Sequence, residues 1–175
     1  MKFEALSLQG AWLISPEPHA DTRGSFARIF CSDEFAQQGL CSQFAQHSVS
    51  CNTRQATLRG LHYQVAPHAE TKVVRCSRGS VYDVLVDIRK NSPTFGKWLG
   101  FELSADNNLA LYIPEGFAHG FVTLLDNSDV QYMINKPHVP GFSQSIHFND
   151  PALAISWPLA PQVMSDNDKQ AAAFQ

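Results

Sequence analysis

Val81-Tyr82-Asp83-Val84-Leu85-Val86-Asp87-Ile88 reads as a β-strand, because β-branched and aromatic residues dominate it and nothing in it follows a helical period. Alternation sends Tyr82, Val84, Val86 and Ile88 to one face and Val81, Asp83, Leu85 and Asp87 to the other. The second face mixes carboxylates with apolar residues, so it is expected to be wet or functional, with Asp83 pointing into a pocket. Downstream, Ser92-Pro93-Thr94-Phe95-Gly96 and Ala105-Asp106-Asn107-Asn108 are turns that separate further strands, among them Trp98 to Leu103 and Leu109 to Ile113. From Phe44 onward the chain is short strands punctuated by turns, without a sustained 3.6-residue apolar period, which is an all-β pattern.

Upstream the pattern is more mixed. Ser32-Asp33-Glu34-Phe35-Ala36-Gln37-Gln38-Gly39 predicts a short helix, with Ser32 as its cap, acids in its first turn and Gly39 closing it. Residues 1–30 alternate short apolar runs with turns at Ser15-Pro16-Glu17-Pro18 and Asp21-Thr22-Arg23-Gly24-Ser25, and read as a hairpin or an arm.

A chain of 175 residues, 44% hydrophobic and 11% aromatic, fits one domain spanning 1–175 with a respectable core. The net charge is −3 and no basic run occurs, which argues against a nucleic-acid surface and leaves room only for small phosphates. Lys2, Glu4, Pro16 and Glu17 interrupt any early apolar stretch, so neither a signal peptide nor a membrane span is expected and the chain reads as cytoplasmic. Cys31, Cys41, Cys51 and Cys76 lack the paired short spacings of metal or redox motifs and read as free thiols.

Chemistry concentrates in Thr57-Leu58-Arg59-Gly60-Leu61-His62-Tyr63-Gln64, where a permanent cation, a glycine and a titratable imidazole fall close together. Such a set can hold an anion and move a proton. Taken singly, His62 reads as a core histidine and Arg59 as a surface cation, so the neighbourhood has to decide. Regular alternation puts His62 and Gln64 on one face and Arg59, Leu61 and Tyr63 on the other. Farther on, Pro114-Glu115-Gly116-Phe117-Ala118-His119-Gly120-Phe121 resembles the second motif of the cupin barrel. In metal-dependent cupins the first motif supplies two histidines one residue apart, followed by a glutamate. Here His62 is followed by Gln64, a poor transition-metal ligand, which leaves only His62 and His119 as donors. No metal and no other cofactor is expected.

Three stretches, residues 58–64, residues 114–121 and Asn149-Asp150-Pro151 through Trp157-Pro158, together resemble the dTDP-4-dehydrorhamnose 3,5-epimerase family. The likeness runs from about Phe3 to Asp168. It implies an all-β, cupin-type jelly-roll barrel with a few short helices. It also implies a homodimer in which residues 1–30 form a swapped arm, and epimerisation at carbons 3 and 5 of a nucleotide-linked 4-keto-6-deoxyhexose through an enolate. By matching motif it makes His62 the base, Asp168 its carboxylate partner, Tyr132 the opposing acid and Lys72 the cation at the keto oxygen. Arg59 is implied near the diphosphate, with Gln46, Arg23, Phe26 and His119 lining the sugar or nucleotide. These residue types suit the task. A hydrogen beside a ketone is acidic only if the enolate oxygen is stabilised, a histidine titrates near neutrality, and a phenol can return a proton to the opposite face.

The chain departs from the family pattern at Arg28, Ser48, His138, Ser143 and Asn167, where many members carry glutamate, asparagine, tyrosine, glutamate and lysine. The alternatives are therefore a single-centre 3- or 5-epimerase acting on another nucleotide sugar, or a non-catalytic nucleotide-sugar-binding cupin. A metal-dependent cupin oxygenase is disfavoured by Gln64.

Overall fold

In the computed structural model, which describes residues 1–175, β-branched and aromatic runs fold as strands wherever turn chemistry bounds them. In chain order these are β1 (Lys2–Ala5), β2 (Trp12–Ser15), β3 (His19–Asp21), β4 (Gly24–Phe26), β5 (Gln46–Asn52), β6 (Leu58–Gln64) and β7 (Lys72–Arg78). They continue as β8 (Ser80–Asp87), β9 (Trp98–Ser104), β10 (Ala110–Ile113), β11 (Phe117–Thr123), β12 (Ser128–Ile134) and β13 (Ser143–Ser145). Helices α1 (Ser32–Gln37) and α2 (Asp166–Lys169) are short. None is long and apolar enough to cross a membrane.

The strands form a six-stranded sheet ordered β1-β2-β10-β7-β12-β5 and a five-stranded sheet ordered β13-β6-β11-β8-β9, with β3 and β4 as a separate hairpin. Pairing within both large sheets is antiparallel. This is the jelly-roll architecture expected. The strand at 81–88 behaves as its alternation requires. Val81 and Leu85 turn inward and meet Val74, Cys76, Leu111, Ile113 and Val130 of the facing sheet, together with Leu103, Phe117 and Phe121. Its other face, through Val84 and Val86, packs with Leu61 and Ala118 beneath Ile146, Leu153 and Ile155 of the C-terminal segment. Both sides are therefore covered, and Asp83 is a polar intrusion into the barrel interior rather than part of a solvated face.

Helix α1 covers part of the outer face of the six-stranded sheet. Its Phe35, fully buried, packs with Ile14, Val73, Ala110 and Tyr112, a contact worth about 1.5–3 kcal/mol in transfer alone. The cap differs from expectation. Cys31 occupies the N-cap position without a side-chain bond, and Ser32 is already inside the helix. The helix end is held instead by tertiary pairing. Glu34 accepts from the N-terminal ammonium of Met1 and from Arg28, each at 2.9 Å, which places the negative charge where the helix dipole favours it.

The turn after β8 is organised by Asp87, whose side chain is fully buried. It accepts from Arg89 Nε at 2.8 Å, from Ser92 Oγ at 2.5 Å, from Thr94 Oγ1 at 2.6 Å and from the Arg89 backbone N–H at 3.0 Å. Burial opposes ionisation, but these donors outweigh it and hold the carboxyl well below the usual carboxylate range. A depressed folded-state pKa gives stability that is present above the unfolded value near 4 and is lost as pH falls below it. Asp87→Asn should therefore cost about 1–3 kcal/mol at neutral pH by leaving buried donors poorly matched. It should also flatten the loss of stability on acidification below about pH 4. Urea unfolding of both proteins at neutral and acidic pH checks this; equal pH dependence would contradict it.

Candidate functional site

The site is built where β6 and β11 cross the barrel. His119 pairs with His62 and Phe121 with Arg59, so two steps along β11 are matched by three along β6. One extra residue on β6 is a bulge, which rephases every side chain beyond it. The regular alternation expected from the sequence, with Arg59 opposite His62, is thereby corrected: both face the same cavity, while Leu61 turns out into the apolar cluster under the C-terminal segment. The bulge needs glycine. Gly60 has φ +128°, and a Cβ there would lie 2.5 Å from Gly120 Cα and 2.9 Å from the His119 carbonyl oxygen.

The cavity holds about 520 Å³ and is lined by Arg59, His62, Glu70, Ser143, Asn167 and Asp168, among others. His62 Nε2 lies 2.6 Å from Asp168 Oδ1 across 106 residues of chain. The histidine side chain is 45% exposed and the aspartate 4%, so the carboxylate is buried behind an imidazole that fronts the opening. A carboxylate can only accept, so neutral His62 carries its proton on Nε2 and keeps the Nδ1 lone pair. Asp168 is held by α2, whose N-cap Ser165 accepts from the Asp168 backbone N–H at 3.1 Å. Met164 and Ser165 border the same opening.

A second histidine–carboxylate pair lies deeper. His119 Nε2 is 2.9 Å from both oxygens of Asp83, and both side chains are buried. Burial pushes the Asp83 carboxyl upward, against the pull of His119 and Lys72. Facing it from β12, Tyr132 presents its ring edge-on to His119 at 6.0 Å between centroids. Burial, and behind it Asp83, push the Tyr132 phenol far above its ordinary value, while the Arg59 guanidinium pulls the other way. The four residues thus share one electrostatic environment. Arg59 Nε donates to Asn52 Oδ1 at 2.8 Å, which bridges the two sheets.

Lys72 opens β7 and is buried with Glu70 as its partner at 2.8 Å. Gln46 stands on β5 opposite Ile134, which in turn pairs with Lys72, so the three share one side of the sheet. Its amide donates to the Lys136 carbonyl at 3.2 Å. Arg23 and Phe26 lie apart on the β3–β4 hairpin, where Phe26 is 78% exposed and Arg23 is tied to Asp21. Neither lines the cavity of its own chain. The sequence reading missed Glu70; the only signal was an acid two residues before Lys72. It also left Gln64 without a task, although this amide bonds Glu70 and the Val139 backbone. No three His, Cys, Asp or Glu side chains converge as a metal site would require.

The chain matches the family model described as dTDP-4-dehydrorhamnose 3,5-epimerase over residues 5–175. It is 38% identical over 169 residues to the dTDP-4-dehydrorhamnose 3,5-epimerase of Sinorhizobium fredii, covering 96% of this chain and 87% of the relative. Its fold is similar to that of the Legionella pneumophila dTDP-6-deoxy-D-glucose-3,5-epimerase, solved in complex with dTDP-4-keto-L-rhamnose. There the TM-score is 0.93 and the identity 38%, over 99% of this chain and 92% of the other. It is also similar to a 3'-monoepimerase from Streptomyces bikiniensis in complex with dTDP-quinovose, with TM-score 0.92 and 34% identity over 98% and 87% of the two chains.

The bulge makes a direct expectation. Gly60→Ala should destabilise the protein by about 1–3 kcal/mol, because an alanine is strained at that φ and its methyl would meet backbone. Chemical denaturation reads the loss. Unchanged stability would mean that β6 can pair without the close approach to Gly120.

Proposed function

The chain belongs to the dTDP-4-dehydrorhamnose 3,5-epimerase family, and from that premise we propose that His62, Asp168, Lys72 and Tyr132 carry its epimerase chemistry. The protein is an isomerase that epimerises carbon 3, carbon 5 or both in a nucleotide-linked 4-keto-6-deoxyhexose through an enolate. The single observation that carries the residue assignment is the 2.6 Å His62–Asp168 contact at the mouth of the cavity. It supplies a base that is open to a ligand and oriented from behind.

In this reading His62 Nδ1 takes the proton from the carbon beside the ketone, and the electron pair moves to the carbonyl oxygen. Asp168 holds the imidazole tautomer and stabilises the imidazolium that forms. Lys72 donates to the developing enolate oxygen. Tyr132, on the sheet opposite His62, gives its phenolic proton to the other face of the carbon, which inverts the centre, and is refilled from solvent. The raised pKa of Tyr132 fits an acid that stays protonated until the enolate demands the proton. Arg59, beside the cavity and anchored on Asn52, suits a diphosphate. His119 and Gln46 suit sugar hydroxyls.

Arg23 and Phe26 fit this scheme only if they serve another copy. Of residues 1–30, β1 and β2 stay paired in this chain's own sheet, so the exposed β3–β4 hairpin is the part that supports a homodimer, reaching the partner's cavity beside the β5 edge. The small or altered side chains at Ser48, His138, Ser143 and Asn167 favour, as a second reading, inversion of a single centre or a nucleotide other than thymidine diphosphate.

Incubation in heavy water with a nucleotide-linked 4-keto-6-deoxyglucose tests the assignment, with deuterium at carbons 3 and 5 read by mass and NMR. Wild type should incorporate deuterium at each centre it inverts. His62→Asn should lose exchange at every centre by about 10²- to 10⁴-fold, and Asp168→Asn should keep binding while slowing turnover. Near-normal exchange in His62→Asn would remove His62 from the mechanism.

A further inference from the structure

Lysine is a poor instrument for placing a charge, since four rotatable carbons separate its ammonium from the backbone. Lys72 is nevertheless fixed. Its ammonium lies 2.8 Å from Glu70 Oε1, and both side chains are 10% exposed. The other Glu70 oxygen, Oε2, accepts from Gln64 Nε2 at 2.7 Å. The same amide nitrogen lies 3.3 Å from the His68 carbonyl oxygen, and Gln64 Oε1 accepts from the Val139 N–H at 3.0 Å. The backbone between Glu70 and Lys72 is pinned as well: the Thr71 N–H donates to Asn135 Oδ1 at 2.8 Å and the Thr71 carbonyl accepts from the Asn135 N–H at 3.1 Å. Both carboxylate oxygens of Glu70 are thus engaged, one by the cation and one by an amide that is itself held at both ends. Glu70 borders the cavity that His62 and Asp168 front.

We propose that Glu70, oriented by Gln64, is a positioning residue that aims the Lys72 ammonium at the substrate's keto oxygen. An ammonium has three protons. Glu70 takes one and fixes the direction of the rest, so an enolate oxygen meets donors already in place and does not have to recruit a mobile side chain. Gln64 stands where metal-dependent cupins have a second histidine, and here its amide serves the ion pair. The inference rests on the reading that Lys72 stabilises the enolate.

The test compares wild type, Lys72→Ala, Glu70→Gln and the double variant in heavy water. It measures saturated deuterium uptake at carbons 3 and 5 together with KM. Glu70→Gln should lower the saturated rate by roughly 10- to 10²-fold, as a displaced catalytic group does, with KM little changed. In the Lys72→Ala background Glu70→Gln should add nothing, because the group it positions is gone. Glu70→Asp keeps the charge but shortens the arm, and should also slow uptake; it decides the matter if Glu70→Gln does not fold. A wild-type rate in a folded Glu70 variant, or the same fold-loss in both backgrounds, would overturn the positioning role while leaving Lys72 in the mechanism. Wild-type uptake by Lys72→Ala would overturn both.

Discussion

Strand β6 carries one residue more than the stretch of β11 it pairs with, and the cavity depends on that mismatch. In a strand of strict period two, a cation and an imidazole three positions apart face opposite ways. The extra residue brings Arg59 and His62 to one side and sends Leu61 to the other, where it joins the cluster that seats the C-terminal segment. That segment carries α2 and with it Asp168. A single local irregularity therefore aims His62 and Arg59 at one cavity and helps dock the segment that carries Asp168. Its local cost is two glycines in near contact, since a Cβ on Gly120 would lie 2.7 Å from the Arg59 carbonyl oxygen.

Electrostatics inside the barrel follow one plan. His62 with Asp168, His119 with Asp83 and Lys72 with Glu70 are each an ionisable donor held against a buried carboxylate, with His62 alone open to the cavity mouth. Pairs of this kind contribute little net stability, because desolvation offsets most of their attraction, while removing one partner is costly. Their value lies in direction. Each fixes the orientation of its cationic or imidazole partner; of these groups His119, Asp83 and Arg59 act on Tyr132, whose phenol is held protonated by burial and by Asp83. On the proposed assignment, a ketone in this site meets the His62 lone pair on one side and the Tyr132 phenol on the other, with the Lys72 ammonium at its oxygen.

Much of this was legible in the residues and some was not. The strand at 81–88 announced which residues share a face, because its alternation is unbroken. The face read as wet is instead covered by the opposite sheet, since its two carboxylates find partners that the pattern does not show. The stretches around His62 and His119 were visible as motifs, and the two histidines do meet across β6 and β11. The facing of Arg59 was misread because a bulge leaves no mark on periodicity beyond a glycine, and Gly60 alone does not reveal which residue is surplus. Ser32 was misread as a cap because Glu34 draws its partners from Met1 and Arg28, far from the local pattern that capping rules describe. The Asp168 partnership spans 106 residues and came only through family resemblance. Glu70 was invisible because an acid beside a lysine in a turn is ordinarily a solvated pair, and only the fold shows it buried against Gln64.

The central claim is that the proton leaves toward His62 on one sheet and returns from Tyr132 on the other. Deuterium labelling of the Tyr132→Phe variant tests it most directly. With the phenol gone the enolate should still form, so the starting sugar recovered from heavy water should carry deuterium at carbon 3 or carbon 5, while inversion falls by about 10²-fold or more. Inversion at the wild-type rate in Tyr132→Phe, with exchange and epimerisation still coupled, would contradict the account and move the acid to another residue.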